Sequence, residues 1–69
     1  MNLILNGTPT SVPETASTVD ALVAFWLAAE ARDGVAVAHN DAIVPRSQWS
    51  CTQLAEGDVV EIAAPFAGG

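Results

Sequence analysis

Asn2-Leu3-Ile4-Leu5-Asn6-Gly7-Thr8-Pro9-Thr10-Ser11-Val12 is the stretch that decides the fold. Residues 2–6 are large aliphatics bounded by asparagines, which reads as a short strand. Asn6-Gly7 is the strongest short-range hairpin signal, because both residues tolerate the positive φ that a type I′ turn demands. A second strand over residues 8–12 then returns antiparallel. Pro9 has no N–H to give to a ladder, so this strand is expected at a sheet edge.

The hairpin leads into a crossover helix. Residues 13–16 form a loop, and Ser17 or Thr18 can cap the helix that follows. Asp20 falls in the first turn, where a negative charge suits the helix dipole. Val19, Leu22, Val23 and Trp26 recur at helical spacing and form one stripe facing the core. Leu27 lies at the edge of that stripe. Phe25 falls outside it and is expected to be partly exposed, either on a partner surface or as an isolated apolar residue of the kind any surface carries. The helix is expected to end near Glu30 to Asp33, with Gly34 as a left-handed stop.

Residues 35–40 read as a third strand and Asn40-Asp41 as a turn. Ile43-Val44 is a short fourth strand stopped by Pro45. Ser47-Gln48-Trp49-Ser50 reads as a single helical turn and residues 55–58 as another turn. Val59–Ala63 is the last strand, with Val60 and Ile62 facing the core and Glu61 facing water. The order is strand, strand, helix, strand, short strand, strand. If the last strand lies beside the first and parallel to it, one mixed sheet of four to five strands wraps one helix. That is an α+β architecture, the ubiquitin-like β-grasp. Residues 1–64 make this domain, and residues 65–69 are expected to form a flexible tail.

Composition narrows the function classes. Sixty-nine residues make one domain, and a chain this short buries only about 60% of its unfolded surface. One cysteine, Cys51, allows no internal disulfide, so the apolar 51% of the sequence must supply the stability. No apolar run reaches the roughly 18 residues of a membrane span, and the start lacks the basic-then-apolar pattern of a signal peptide. A soluble cytoplasmic protein is expected. The net charge is −6, from eight acids against Arg32 and Arg46, with no lysine. Nucleic-acid binding needs clustered cations, so it is excluded. Acidic residues either keep a small apolar protein soluble or speed association with partners that carry basic docking sites.

Side-chain catalysis finds no support. His39 is the one histidine, at a strand end, and no nearby pattern supplies a nucleophile with an oriented base. It reads as an exposed or hydrogen-bonded structural residue. Cys51 has no His/Cys cluster for zinc and no evident helix N-terminus or cation to activate it. Asp41, Glu56 and Asp58 sit in turns and are most simply solvated. No catalytic residue and no metal ligand is assigned, and Gly34 and Gly57 are lone turn glycines rather than a phosphate loop.

The tail Pro65-Phe66-Ala67-Gly68-Gly69 is different. Pro65 biases Ala64 towards extended backbone and ends ladder pairing. Five extended residues reach roughly 17 Å. Phe66 offers an apolar anchor and Ala67 little bulk, while Gly68 and Gly69 let the backbone enter a narrow cleft. The α-carboxylate of Gly69 can attack the α-phosphate of ATP, and a sulfur nucleophile can then open the acyl-adenylate. This chemistry needs no side chain from the chain that carries the carboxylate.

Asn6 after the first strand, Val19 and Leu22-Val23 on the helix, Asn40, Ile43-Val44-Pro45-Arg46-x-x-Trp49, Gly57-Asp58 and terminal Gly68-Gly69 together resemble the ThiS family, the bacterial sulfur carrier proteins of thiazole biosynthesis. The resemblance covers nearly the whole chain. It implies a β-grasp carrier that acts as a cosubstrate and is not itself an enzyme. An E1-like (ThiF-like) adenylyltransferase, using ATP and magnesium, would adenylate Gly69. A persulfide derived from a cysteine desulfurase would convert it to a thiocarboxylate, and thiazole synthase (ThiG-like) would accept the sulfur for the thiamine thiazole. The proline and aromatic of the tail also resemble the molybdopterin synthase small subunit, and other relatives serve cysteine or thiosugar synthesis. Pro45-Arg46-x-x-Trp49 favours the thiazole branch. Two other classes stand beside these: a ubiquitin-like protein modifier, and a binding module with an inert tail.

Overall fold

The computed structural model describes residues 1–64. Strands β1 (Asn2–Leu5) and β2 (Thr8–Ser11) form an antiparallel hairpin. Its turn carries Asn6 at φ 51° and Gly7 at φ 80°, the two left-handed conformations that Asn-Gly accepts at little strain. Helix α1 (Val19–Trp26) follows, then strands β3 (Ala36–His39), β4 (Ala42–Ile43) and β5 (Val59–Ala63). The sheet order is β2-β1-β5-β3-β4. β5 pairs parallel with β1 and antiparallel with β3, so the last strand lies in the centre of the sheet. This is the β-grasp arrangement, and Pro9 sits on an edge strand as its missing N–H requires.

Alternation along the strands builds the core. Leu3 and Leu5 of β1, Val37 of β3, and Val60 and Ile62 of β5 point to one face of the sheet. Val19, Leu22 and Val23 of α1 close over that face, and all eight side chains belong to one buried cluster. Thr18 is the N-cap: its side-chain oxygen accepts from the Ala21 N–H, and Asp20 stands in the first turn. A short bridge between Thr18 and Gln53 fastens the helix start to the segment before β5.

The structure departs from the sequence expectation at the end of the helix. α1 stops at Trp26, well short of residues 30–33, and Leu27 is extended at φ −122°, ψ 143°. That turn of the backbone re-aims Leu27 onto the core. The guanidinium of Arg32 folds back and donates to the carbonyls of Leu27 (3.2 Å) and Ala24 (3.1 Å), satisfying acceptors that the shortened helix leaves open. A single 3₁₀ turn, Ala29–Ala31, follows, and Gly34 carries φ 74° beyond it. Trp26 does not join the core stripe. It is the last helical residue and is 44% exposed. Phe25, at 51%, is exposed as expected.

Asn40 and Asp41, at φ 49° and 70°, make the second tight turn. β4 begins one residue earlier than expected and leaves Val44 buried outside the strand. The helical turn is longer than expected, a 3₁₀ segment over Arg46–Cys51. It carries Trp49 into the core, where the indole N–H donates to the carbonyl of Val44 at 3.0 Å. Arg46 stacks over the same ring, 4.6 Å from its centre. The Pro-Arg-x-x-Trp stretch is thus a plug: proline starts the turn, tryptophan fills the core and arginine covers the ring.

Candidate functional site

The residues assigned chemistry in the sequence, Phe66, Ala67, Gly68 and Gly69, lie outside the described residues. The structure describes the platform from which they leave. That platform is β5, which ends at Ala63, and the sheet around it.

Two asparagines grip β5, one from each tight turn. The Asn6 backbone N–H donates to the Val60 carbonyl (2.9 Å), while its Oδ1 accepts from the Ile62 N–H (2.8 Å). The Asn40 N–H donates to the Val59 carbonyl (2.8 Å), while its Oδ1 accepts from the Val59 N–H (2.9 Å). Either turn could have used glycine for its positive φ alone. Asparagine adds an acceptor that reaches across to the central strand. In the sequence both residues stand out as turn formers and as part of the family resemblance. Their second role joins positions 19 and 56 residues apart, and no local pattern announces it.

The acids of the turn before β5 are not simply solvated, which corrects the expectation for Glu56 and Asp58. Glu56 accepts from the Asn2 N–H at 2.8 Å and from Asn2 Nδ2 at 3.0 Å. These bonds lower its pKa, the backbone one most. Asp58 accepts from His39 Nε2 at 2.7 Å, from the Ala55 N–H at 2.9 Å and from Asn40 Nδ2 at 3.3 Å. Its pKa is lowered, first by His39 and then by Ala55, with Asn40 adding a smaller contribution. An ionised carboxylate only accepts, so the His39 proton in this contact sits on Nε2. His39 is therefore the hydrogen-bonded structural histidine that the sequence suggested. Asp41 is exposed, as expected of a turn acid.

The inner face of β5 is covered by α1, and its outer face is not. Val59, Glu61 and Ala63 of β5 point outward together with Ile4 of β1, Ala36 and Ala38 of β3, Ile43 of β4 and Pro9 of β2. Ile43 is 72% exposed and Val59 is 40% exposed. The result is an apolar surface whose last β5 member, Ala63, is one residue from the end of the described chain. Single exposed apolar residues need no explanation, whereas several on one sheet face make that face a candidate for docking.

The remaining candidates gather no chemistry. Cys51 is exposed at the end of the 3₁₀ segment, its thiol near the Gln48 carbonyl at 3.4 Å. Among the described residues no three His, Cys, Asp or Glu side chains form a metal-ligating group. No enclosed pocket is present among them, and no helix is long and apolar enough to cross a membrane. The described chemistry is that of a surface presenting a strand end.

The model of the ThiS family matches residues 3–69. The crystal structure of a thiamine biosynthesis protein, ThiS, from Geobacter metallireducens is similar over 100% of both chains, with a TM-score of 0.80 and 31% sequence identity. No curated protein matches the chain.

Proposed function

The chain belongs to the ThiS family, and from that membership we propose that it is a sulfur carrier of thiamine biosynthesis whose reactive group is the α-carboxylate of Gly69. The observation that carries this reading is the extent of the family match, which runs through residue 69. The Geobacter protein also corresponds from end to end. The asparagine grip on β5 and the open apolar face beside Ala63 support it, because a carrier needs a rigid handle from which its tail is offered.

In the proposed reaction a carboxylate oxygen of Gly69 attacks the α-phosphorus of ATP and pyrophosphate leaves. ATP and magnesium belong to the E1-like activating enzyme. The terminal sulfur of a persulfide, supplied by a cysteine desulfurase, attacks the acyl carbon and AMP leaves. A thiol then cleaves the sulfur–sulfur bond, and the thiocarboxylate remains on Gly69. Thiazole synthase takes that sulfur. Gly68 and Ala67 leave the backbone thin enough to enter the enzyme's cleft, and Phe66 anchors it. The chain contributes position rather than catalysis: its side chains hold β5 and present its end.

Intact mass spectrometry of the protein from its native host tests this. A mass increase equal to one oxygen-to-sulfur exchange, mapped to Gly69, is the expected result. An unmodified mass that persists after incubation with the host's activating enzyme, ATP and a sulfur source would overturn the carrier reading in favour of a binding module.

A further inference from the structure

We propose that Glu61 is the specificity-determining residue of the outer sheet face, and that the activating enzyme meets it with a basic side chain set in an otherwise apolar surface. This inference rests on the carrier reading above. Of the ten outward positions on the five strands, Glu61 alone is ionisable. Asn2 and Ser11 are uncharged, and Ile4, Pro9, Ala36, Ala38, Ile43, Val59 and Ala63 are apolar. Glu61 stands on the central strand, between Val59 and Ala63 along the chain and opposite Ala38 across the ladder. Its neighbours are small or short, so the carboxylate is open to an incoming surface.

The other two acids near β5 are already committed, Glu56 to Asn2 and Asp58 to His39, Ala55 and Asn40. Among the described residues Glu61 makes no side-chain hydrogen bond and no ion pair. A tail of five residues reaches only roughly 17 Å, so the enzyme that takes Gly69 works close to the end of β5. The inner face there is occupied by α1, and the enzyme meets the outer one. Covering an ionised carboxylate with apolar surface alone is strongly unfavourable, so a partner that buries this face must bring a cation. An arginine suits best, since its planar fork engages both carboxylate oxygens. A partner with a neutral or acidic group at that point is rejected.

The test uses the full-length chain as substrate for the host's activating enzyme, followed by ATP-pyrophosphate exchange. For Glu61→Gln the KM for the chain is expected to rise roughly tenfold or more with kcat nearly unchanged, the size expected when one partner of a covered charge pair is removed. For Glu61→Arg, which sets two cations against each other, the rise is expected to be larger still. Asp20→Asn, on the helix side, removes the same unit of charge and should leave KM close to wild type. Far-UV circular dichroism checks that each variant is folded. If Glu61→Arg is folded and keeps the wild-type KM, or if Asp20→Asn raises KM as much as Glu61→Gln, the assignment is overturned. If the wild-type chain is not adenylated at all, the carrier reading falls, and this inference with it.

Discussion

Asn6→Ala is expected to be among the most damaging single changes at an exposed position of this chain. Two effects combine. The alanine must hold φ near 51°, which for a residue with a Cβ and no local hydrogen bond costs about 1–2 kcal/mol. The Ile62 N–H also loses its acceptor at 2.8 Å in a partly buried place, which costs about 1–3 kcal/mol. The sum is about 2–5 kcal/mol, set against a total stability of about 3–10 kcal/mol for a domain of this size. At about 4–8 °C per kcal/mol, the midpoint should fall by at least about 8 °C. Asn6→Gly separates the two effects, since it keeps the turn and loses only the acceptor. It should fall about midway between wild type and Asn6→Ala. Asn6→Asp keeps an acceptor and should stay near wild type. Thermal and urea unfolding with an unchanged m-value give the three differences, and hydrogen exchange at the Ile62 amide reports the local opening. If Asn6→Gly unfolds with wild-type stability, the grip on β5 contributes nothing. If it is as unstable as Asn6→Ala, backbone strain is not part of the account.

Asp58 has a pKa below its ordinary 3.8 in the folded chain, so its contribution is whole above that value and is lost as pH falls through the lowered one. Asp58→Asn should therefore be less stable at neutral pH and lose less on acidification. An acid limb that parallels wild type in urea titrations would refute the role. Trp49→Phe leaves the buried Val44 carbonyl without its donor and should cost about 1–3 kcal/mol, read by urea unfolding. Trp49 is buried and Trp26 is exposed, so folded Trp26→Phe should emit further to the blue than folded Trp49→Phe. The opposite order of fluorescence maxima would contradict the placement of both rings. Deleting Gly69 should leave thermal stability unchanged and abolish adenylation by the activating enzyme; retained adenylation would move the reactive group elsewhere.

The elements legible in the sequence were those set by local chemistry. Asn6-Gly7 and Asn40-Asp41 announced their turns because few residues accept positive φ, and Val60 and Ile62 announced their face by alternation. Pro9 announced an edge. What stayed hidden was long-range. The early end of α1 depends on Leu27 packing against the core and on Arg32 reaching back to two carbonyls, and helical spacing over residues 19–30 carries no trace of either. The carboxylates of Glu56 and Asp58 looked like ordinary turn acids because Asn2 and His39 lie 54 and 19 residues away. The candidate tail was visible from residue type alone. The surface beside it was not, since it exists only once five strands share a register.

The central place of β5 has a consequence for how the molecule comes into being. The ribosome makes this strand after the other four, yet both β1 and β3 take it as their partner. Until residues 59–63 arrive, the nascent chain holds two separate hairpins and a helix with no sheet to cover, and an isolated hairpin is marginal in water. A product cut short before β5 has nothing to close around and stays open to proteases. The strand that completes the fold is also the one that leads into the tail. The last strand to be made is therefore the one that closes the sheet, and residues 64–69 follow it directly in the chain.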